Sequence, residues 1–487
     1  MPRPSRPVLE ELTARIRWAL PALAALALGI VRLPELTRSP LWYDELFSVG
    51  VAGLPFADAM RRIVADHTNP PLFYLILKVW IAVGGDGDHW VRLLPCLFAM
   101  MLGAGLVWLA REARVGAIAG TLAVALAAVS PLTVDLANEV RAYSLLALLA
   151  CLSLAATLRD RTRRTDDSFA LLTIINVALV HTHYFGWLTV AAECLAAVIR
   201  SRAFGVRVLR SAALTLLAFL PWAAAVIAHA LANPAPLRNV AWIATPGALD
   251  PLWLLRDLTG RSGRAAADLV WVVFVIAALL VTAVTALRRR AASKAAAEPA
   301  AAPMDGALTL LALAGFAAPA AVWALSLATG HSVWVPRYLV GAAAPVALLV
   351  ATAVAALPPR RLGVAAIAGF AWVAVACAAL PQRSPGKFDW RRFVRRIDLV
   401  AGSPRDVYAL EAFTAAPLQR YANPGMHVSM VSSLDALPSG EFWLVYRRAS
   451  FASGSASDAL KSLGFASVTS LSAETMGQAI VATRIRR

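Results

Sequence analysis

The run "PLFYLILKVWIAV", residues 71–83, decides the fold. It is apolar except at Lys78. As a helix it would be about 20 Å long at 1.5 Å per residue, whereas the hydrocarbon core of a bilayer is about 30 Å thick. It is too short to cross, and every later loop would change sides if it did. The basic loops test this directly. Take the N-terminus as cytoplasmic and let residues 71–83 lie in the outer interface. The inner segments are then 1–15, "REAR" (111–114), "RDRTRR" (159–164), "RSRAFGVRVLR" (200–210), "RRRAASK" (288–294) and "PPRR" (358–361), and each holds at least two Lys or Arg. The short outer connections "VDLANEVR" (134–141), "HTHYFG" (181–186) and "HSVWVPR" (331–337) hold one, none and one. The positive-inside bias selects this arrangement. Pro70 and Pro71 suit the start of the short helix, and Lys78 is expected to snorkel to the headgroups.

The composition places most of the chain in lipid. Of 487 residues, 59% are hydrophobic and only 15% charged, with a mean hydropathy of +0.66. A soluble domain cannot hide that much apolar surface. The net charge of +17 would suggest nucleic acid on a soluble protein. Here much of it sits in short loops between apolar runs, so no nucleic-acid partner is expected. Cys96, Cys151, Cys194 and Cys377 all lie inside apolar runs and read as lone membrane residues. Residues 18–31 follow Arg15 and Arg17 without a small-x-small cleavage site, so they read as an uncleaved first span.

Expected spans are 16–34, 90–110, 115–133, 142–158, 168–183, 186–200, 211–231, 267–287, 306–329, 338–357 and 361–380. The fold class is thus mainly α, a polytopic helical bundle of about eleven transmembrane helices plus an interfacial helix. Two outer loops are long, 35–89 and 232–266, and residues 291–305 read as an Ala-rich inner linker. After residue 381 the composition changes. "DVYAL" (406–410), "HVSMV" (427–431), "FWLVYRR" (442–448) and "AIVATRIRR" (479–487) read as strands, with helices at 390–402 and 457–465. Residues 1–381 are therefore expected to form the membrane domain, and 382–487 a small extracytoplasmic α/β domain.

With this topology the chemically capable residues gather on one membrane face. They are Trp42-Tyr43-Asp44-Glu45, then His67 and Asn69 in "DHTNPP", and Glu139, Arg141 and Tyr143 in "NEVRAYS". His181, His183 and Tyr184 follow in "HTHYFG", and Arg337 and Tyr338 in "VPRYL". Such gathering points to a site at the outer rim of the bilayer. A carboxylate at a span end, such as Asp44 or Glu45, can accept a proton from a hydroxyl or amine; alternatively it caps the next helix or pairs with an arginine. Trp42 and Tyr43 fit either a sugar contact or an interfacial aromatic belt. Arg141 and Arg337 suit a phosphate clamp, because guanidinium matches phosphate oxygens bidentately. The alternatives are a local pair with Glu139 and a helix-end anchor. His181 and His183, at i and i+2, suit an extended loop with polar substrate contacts, and no third metal ligand stands nearby. His67 and Asn69 either bind substrate or shape the turn before the proline pair.

These segments resemble the GT-C superfamily of membrane glycosyltransferases, of the protein-mannosyltransferase and aminoarabinose-transferase type (family 39-like). The likeness is carried by "WYDE" after the first span, "HTNPPLFYLILKVW", "RLLPCLFAMM", "SPLTVDLANEVRAYSLLALLACLSL", "HTHYFG" and "PRYL". It covers residues 14–200 and, less fully, 331–357. The resemblance implies a sugar donor on polyprenyl phosphate entering from the outer leaflet, and a lipid, glycan or protein acceptor. It implies Asp44 as general base of a single inverting displacement, accompanied by Glu45, with Glu139 as a second-loop acidic residue and Arg141 and Arg337 steadying the phosphate. No metal and no other cofactor is implied by this branch. The tail beginning "FDWRRFVRRI" looks like the extracytoplasmic part of bacterial members, which implies the bacterial inner (cytoplasmic) membrane of the cell envelope. The chain lacks the large central lumenal domain of eukaryotic members, so their acceptor is not carried over. The rival from another class is a transporter or flippase of lipid-linked glycans. It would place charges near the midplane between repeats, whereas here Glu193 is the main mid-span charge and no repeat is visible.

Overall fold

A computed structural model describes residues 36, 39–200, 202–233, 243–261, 264–295, 303–357, 369, 388–450, 456–475 and 478–486. The expected first span 16–34, the inner segment 358–361 and, apart from residue 369, the last span 361–380 lie outside the described residues, as do 296–302 of the linker. The described chain divides into two compact units. One contains Val51–Gly85 and the described residues of Val91–Gln382. The other joins the described residues of Pro34–Gly50 and Asp86–Trp90 to those of Arg383–Arg487.

The first unit is helical. Among the described residues, five helices are long and apolar enough to cross a membrane: Asp88–Glu112, Tyr143–Arg163, Arg202–Ala232, Gly306–Thr329 and Pro336–Ala355. A sixth is the bent pair Ala117–Val129 and Pro131–Ala137. The helix Leu72–Gly84 forms as expected and spans only 13 residues. Helices Asp166–Thr182 and Gly186–Arg200 coincide with two further expected spans, and Ala265–Ala295 covers a third. The helix Ala343–Ala355 is apolar all round and buried along nearly its whole length, so it is a core element. The helix Arg202–Ala232 does the opposite. It leaves Leu209, Leu214, Leu217, Leu220, Ile227 and Leu231 exposed. Lipid tails satisfy such a face and water does not, so the chain reads as a multi-pass membrane protein.

Two irregularities shape this unit. The helix pair bends by 60° at Ser130-Pro131. Pro131 has no N–H to continue the ladder, so the helix breaks there. Thr133 Oγ1 donates to Ala127 O, the carbonyl that Pro131 cannot serve, and to Ser130 O at 3.0 Å. Ser130 Oγ in turn donates to Asp257 O at 2.9 Å. Between helices Pro303–Ala312 and Ala318–Thr329, residues Leu313–Ala317 form a π-turn. A Cβ on Gly315 there would stand 3.1 Å from Val346 Cγ2, so glycine permits the close approach to Ala343–Ala355.

Lys78 departs from the snorkelling expectation. Its Nζ donates to Ala52 O at 3.2 Å and to Leu54 O. These carbonyls close the helix Tyr43–Gly53, and a cation there complements the helix dipole.

The second unit carries a five-stranded sheet in the order β2-β1-β3-β5-β4. The strands are β1 (Asp406–Ala409), β2 (His427–Met430), β3 (Glu441–Arg447), β4 (Ala466–Thr475) and β5 (Gln478–Arg486). β1 is parallel to β2 and β3, and β5 is antiparallel to β3 and β4. β3 is central and buried on both faces. Trp443 and Val445 pack with Trp390, Phe393 and Leu418 on one side. Phe442, Leu444 and Tyr446 pack with Leu460 and Phe465 on the other. The period of two along a strand sends alternate residues to opposite cores. The helices on the first side are Trp390–Asp398 and Ala412–Tyr421, and Ala456–Ser462 lies on the second.

Candidate active site

The acidic pair of the second unit opens the helix Tyr43–Gly53. Carboxylates in a first turn complement the positive end of the helix dipole, but the two differ in placement. Glu45 is fully buried, and its Oε2 accepts the backbone N–H of Trp42 at 3.1 Å. This is the reach-back of a third-position glutamate onto the capping residue's amide, so the capping alternative describes Glu45. Asp44 is half-buried, and its backbone carbonyl accepts Ser48 Oγ at 3.0 Å. Trp42 is buried, and the ring of half-buried Tyr43 packs 5.6 Å from Phe413.

In the first unit, three distant segments converge. The turn after Pro131–Ala137 is tight. Arg141 N donates to Glu139 O at 2.7 Å, and Ser144 Oγ donates to Leu136 O at 2.8 Å. Glu139, Arg141 and Tyr143 are all buried there. Arg141 Nη1 lies 3.4 Å from Tyr74 Oη, on the short helix Leu72–Gly84.

The second segment is "HTHYFG". The helix Asp166–Thr182 continues through His181 and ends at His183. The next helix begins at Gly186, where a Cβ would stand 2.8 Å from Leu179 O, so only glycine allows the turn to close this tightly. The expected extended loop is therefore replaced by a helix end, and the two histidines part. His181 Nδ1 bonds Val177 O at 2.8 Å and its ring packs 5.3 Å from Phe219. Tyr184 Oη accepts Trp222 Nε1 at 3.3 Å. Buried His183 joins the central group instead. Its Nδ1 accepts the N–H of Phe185 at 3.1 Å, which puts the proton of the neutral ring on Nε2.

The third segment is the 3-10 turn Pro336–Ala342, which carries Arg337 and Tyr338. Tyr338 stacks on Tyr143 at 6.0 Å and lies 5.1 Å from His183. The Arg337 guanidinium carbon is 5.7 Å from both the Tyr143 and Tyr338 rings. Both Arg141 and Arg337 lie close enough to Tyr143 to act on it electrostatically. The Tyr143 hydroxyl is buried and finds no hydrogen-bond partner among the described residues. The result is an aromatic nest flanked by two guanidinium groups, a place where a phosphate can be held bidentately.

Tyr74 and Phe185 belong to this group and were not singled out from the sequence. Phe185 lies 5.4 Å from Tyr338. His67 is the left-handed cap of the helix Phe56–Asp66, at φ 43°, so the turn-shaping alternative describes it. Asn69 is buried. Its Nδ2 donates to Thr68 at 3.3 Å, and its Oδ1 has no partner among the described residues. Among the described residues, no three His, Cys, Asp or Glu side chains cluster tightly enough to hold a metal ion.

An apolar crevice opens along the helix that begins at Tyr143. Its walls include Cys96, Met100, Val124, Ala127, Ala147 and Val340, and it passes Ser144, the neighbour of Tyr143.

No protein-family model matches the chain, and no curated protein aligns with it. Solved structures do. Two structures of ArnT from Cupriavidus metallidurans, one bound to undecaprenyl phosphate and one apo, superpose with a TM-score of 0.59 at 14% identity. They cover 95% and 96% of this chain, and 97% and 98% of ArnT. The apo oligosaccharyltransferase of Archaeoglobus fulgidus gives a TM-score of 0.52 at 12% identity, over 84% of this chain and 64% of that one. At these identities the likeness is one of architecture, and this chain has the fold of ArnT.

Proposed function

We propose that the chain is an integral-membrane glycosyltransferase of GT-C type that moves a sugar from a polyprenyl-phosphate donor to an acceptor on the extracytoplasmic face. One observation carries the reading. Arg141 and Arg337, from segments nearly two hundred residues apart, flank a nest of buried Tyr143 and His183 and half-buried Tyr338. The apolar crevice that passes Ser144 offers prenyl carbons an apolar wall. ArnT, of the same fold, has been seen with undecaprenyl phosphate.

In the reaction we propose, the acceptor's hydroxyl or amine attacks the anomeric carbon. The bond from that carbon to the phosphate oxygen breaks on the opposite side, so configuration inverts. The attacking atom's proton passes to the Asp44 carboxylate. Polyprenyl phosphate departs with its charge held by Arg141 and Arg337. Glu45 supports Asp44 by capping their shared helix. We further propose about eleven crossings, a cytoplasmic N-terminus and an extracytoplasmic C-terminal α/β domain in the bacterial inner membrane, with Leu72–Gly84 lying in the outer interface.

The test uses membranes containing wild type or Asp44→Asn, with radiolabelled polyprenyl-phosphate sugars as donors. Transfer should fall by a factor of about 10² or more in the variant at equal protein level. Undiminished transfer would remove Asp44 as the base. Cysteine labelling of position 44 from the cytosolic side would overturn the sidedness.

A further inference from the structure

A single helix of the second unit, Ala412–Tyr421, holds the chain on which Asp44 sits. At its last residue, Tyr421 Oη accepts the Leu41 N–H at 2.6 Å and donates to Asp88 Oδ2 at 2.7 Å. In its first turn, the Phe413 ring packs 5.6 Å from Tyr43. These two contacts stand about 12 Å apart along the helix at 1.5 Å per residue. One fixes the backbone just before the helix Tyr43–Gly53, and the other fixes the side chain next to Asp44. Two points set a direction as well as a position.

The clamp is itself anchored. Arg420 donates to Asp86 Oδ2 and Asp86 O, each at 2.7 Å, and to Asp88 Oδ1 at 3.2 Å. Arg391 donates to Asp88 Oδ2 at 2.5 Å, and its guanidinium lies 5.2 Å from the Tyr421 ring centroid. Asp88 thus receives Arg391, Arg420 and Tyr421 together, which orients the Tyr421 hydroxyl proton toward the carboxylate. The oxygen lone pairs are left for the Leu41 amide. A hydroxyl used as donor and acceptor at once has one rotamer that serves both partners.

We infer that Tyr421 is a positioning residue for Asp44, through which the C-terminal α/β unit sets the placement of the proposed base. The inference rests on the assignment of Asp44 as that base. It gives the C-terminal unit a part in the reaction that requires no contact with substrate. An error of about 1 Å in a reacting group costs on the order of 10²-fold in rate.

The test is Tyr421→Phe in the full-length protein, a change that removes one oxygen and keeps the ring. Turnover in the polyprenyl-phosphate sugar assay should fall about 10- to 100-fold, with donor KM within about twofold of wild type because the arginine nest is untouched. Amide exchange at Leu41 should quicken about fivefold or more. In an Asp44→Asn background the same change should cause no further loss, since its effect passes through that carboxylate. Wild-type turnover, unchanged exchange at Leu41, or a loss that multiplies with Asp44→Asn would each overturn the inference. If the wild-type protein transfers no sugar at all, the function fails instead, and the Leu41 exchange still reports whether Tyr421 holds the chain.

Discussion

Replacing Arg337 with lysine separates charge from shape. The guanidinium carbon lies 5.7 Å from the ring centroids of both Tyr143 and Tyr338. Lysine keeps the positive charge but loses the planar fork that can face a ring and grip two phosphate oxygens at once. One lost charge-assisted hydrogen bond is worth about 1.5–3 kcal/mol. The weakened cation–π contacts add about 0.5–1 kcal/mol. Together these give about 2–4 kcal/mol, or about 30- to 1,000-fold at 1.4 kcal/mol per decade. The assay is initial-rate sugar transfer by purified protein in detergent, with the polyprenyl-phosphate donor varied. kcat/KM should fall by that factor for Arg337→Lys and further for Arg337→Gln. Phosphate charge grows as the leaving group departs, so kcat should take a larger share of the loss than KM. Activity of Arg337→Lys within threefold of wild type would refute the bidentate role, and equal activity of Arg337→Gln would remove the phosphate site altogether.

Three further outcomes are expected. Tyr143→Phe removes a buried hydroxyl that has no partner among the described residues; thermal unfolding in detergent should show unchanged or slightly raised stability, by about 1 kcal/mol at most, while donor KM rises several-fold. Fully buried Asp160 accepts Arg207 Nη2 at 2.7 Å, Arg207 Nε at 3.1 Å and Ser168 Oγ at 2.6 Å. Arg207 is partly exposed, so Asp160→Ala should destabilise by about 2–3 kcal/mol, below the 3–5 of a wholly buried pair, and an unchanged melting temperature would contradict this. In the C-terminal unit, hydrogen bonds from Arg486 and Arg484 hold the Glu441 carboxyl below its usual range. A lowered carboxyl pKa contributes stability that is complete above the unfolded value of about 4.3 and is lost as pH falls through the folded value. The melting temperature should therefore drop on acidification below about pH 4, and Glu441→Gln should flatten that part of the profile.

Much of this was readable from the residues alone. Continuous apolar runs mark the long helices, because a span needs length and hydropathy and little else. Arg141, Tyr143, His183, Arg337 and Tyr338 were nominated as polar groups at the ends of such runs, and the fold brings them together. Tyr74 escaped notice because it sits inside the apolar run 71–83, where an aromatic reads as packing. His181 departs from the extended-loop expectation because the helix, as the expected span 168–183 allows, runs through Thr182. Gly186 carries the signal for this helix end, since a glycine pressed against the Leu179 carbonyl closes a helix–helix turn. β4 was missed for a compositional reason: "ASVTSLSAET" is rich in Ser and Thr, with few of the large apolar residues that mark a buried strand. It lies at an edge of the sheet and carries an irregularity between Ser467 and Thr469. The different placements of Asp44 and Glu45 are not legible in the sequence, because adjacent carboxylates look alike until one is buried on an amide.

The kink at Pro131 makes the length of the next ten residues critical. From that proline the chain has one short helix and one turn in which to deliver Arg141 beside Tyr143. Each residue added or removed within Pro131–Ala137 would swing everything after it by about 100° around the axis, at 3.6 residues per turn. Arg141 would then leave its burial site, although the hydropathy profile would be untouched. With nearly every residue of this stretch buried, distant members of this fold should show conservative substitutions there and no insertions or deletions between the proline and the arginine.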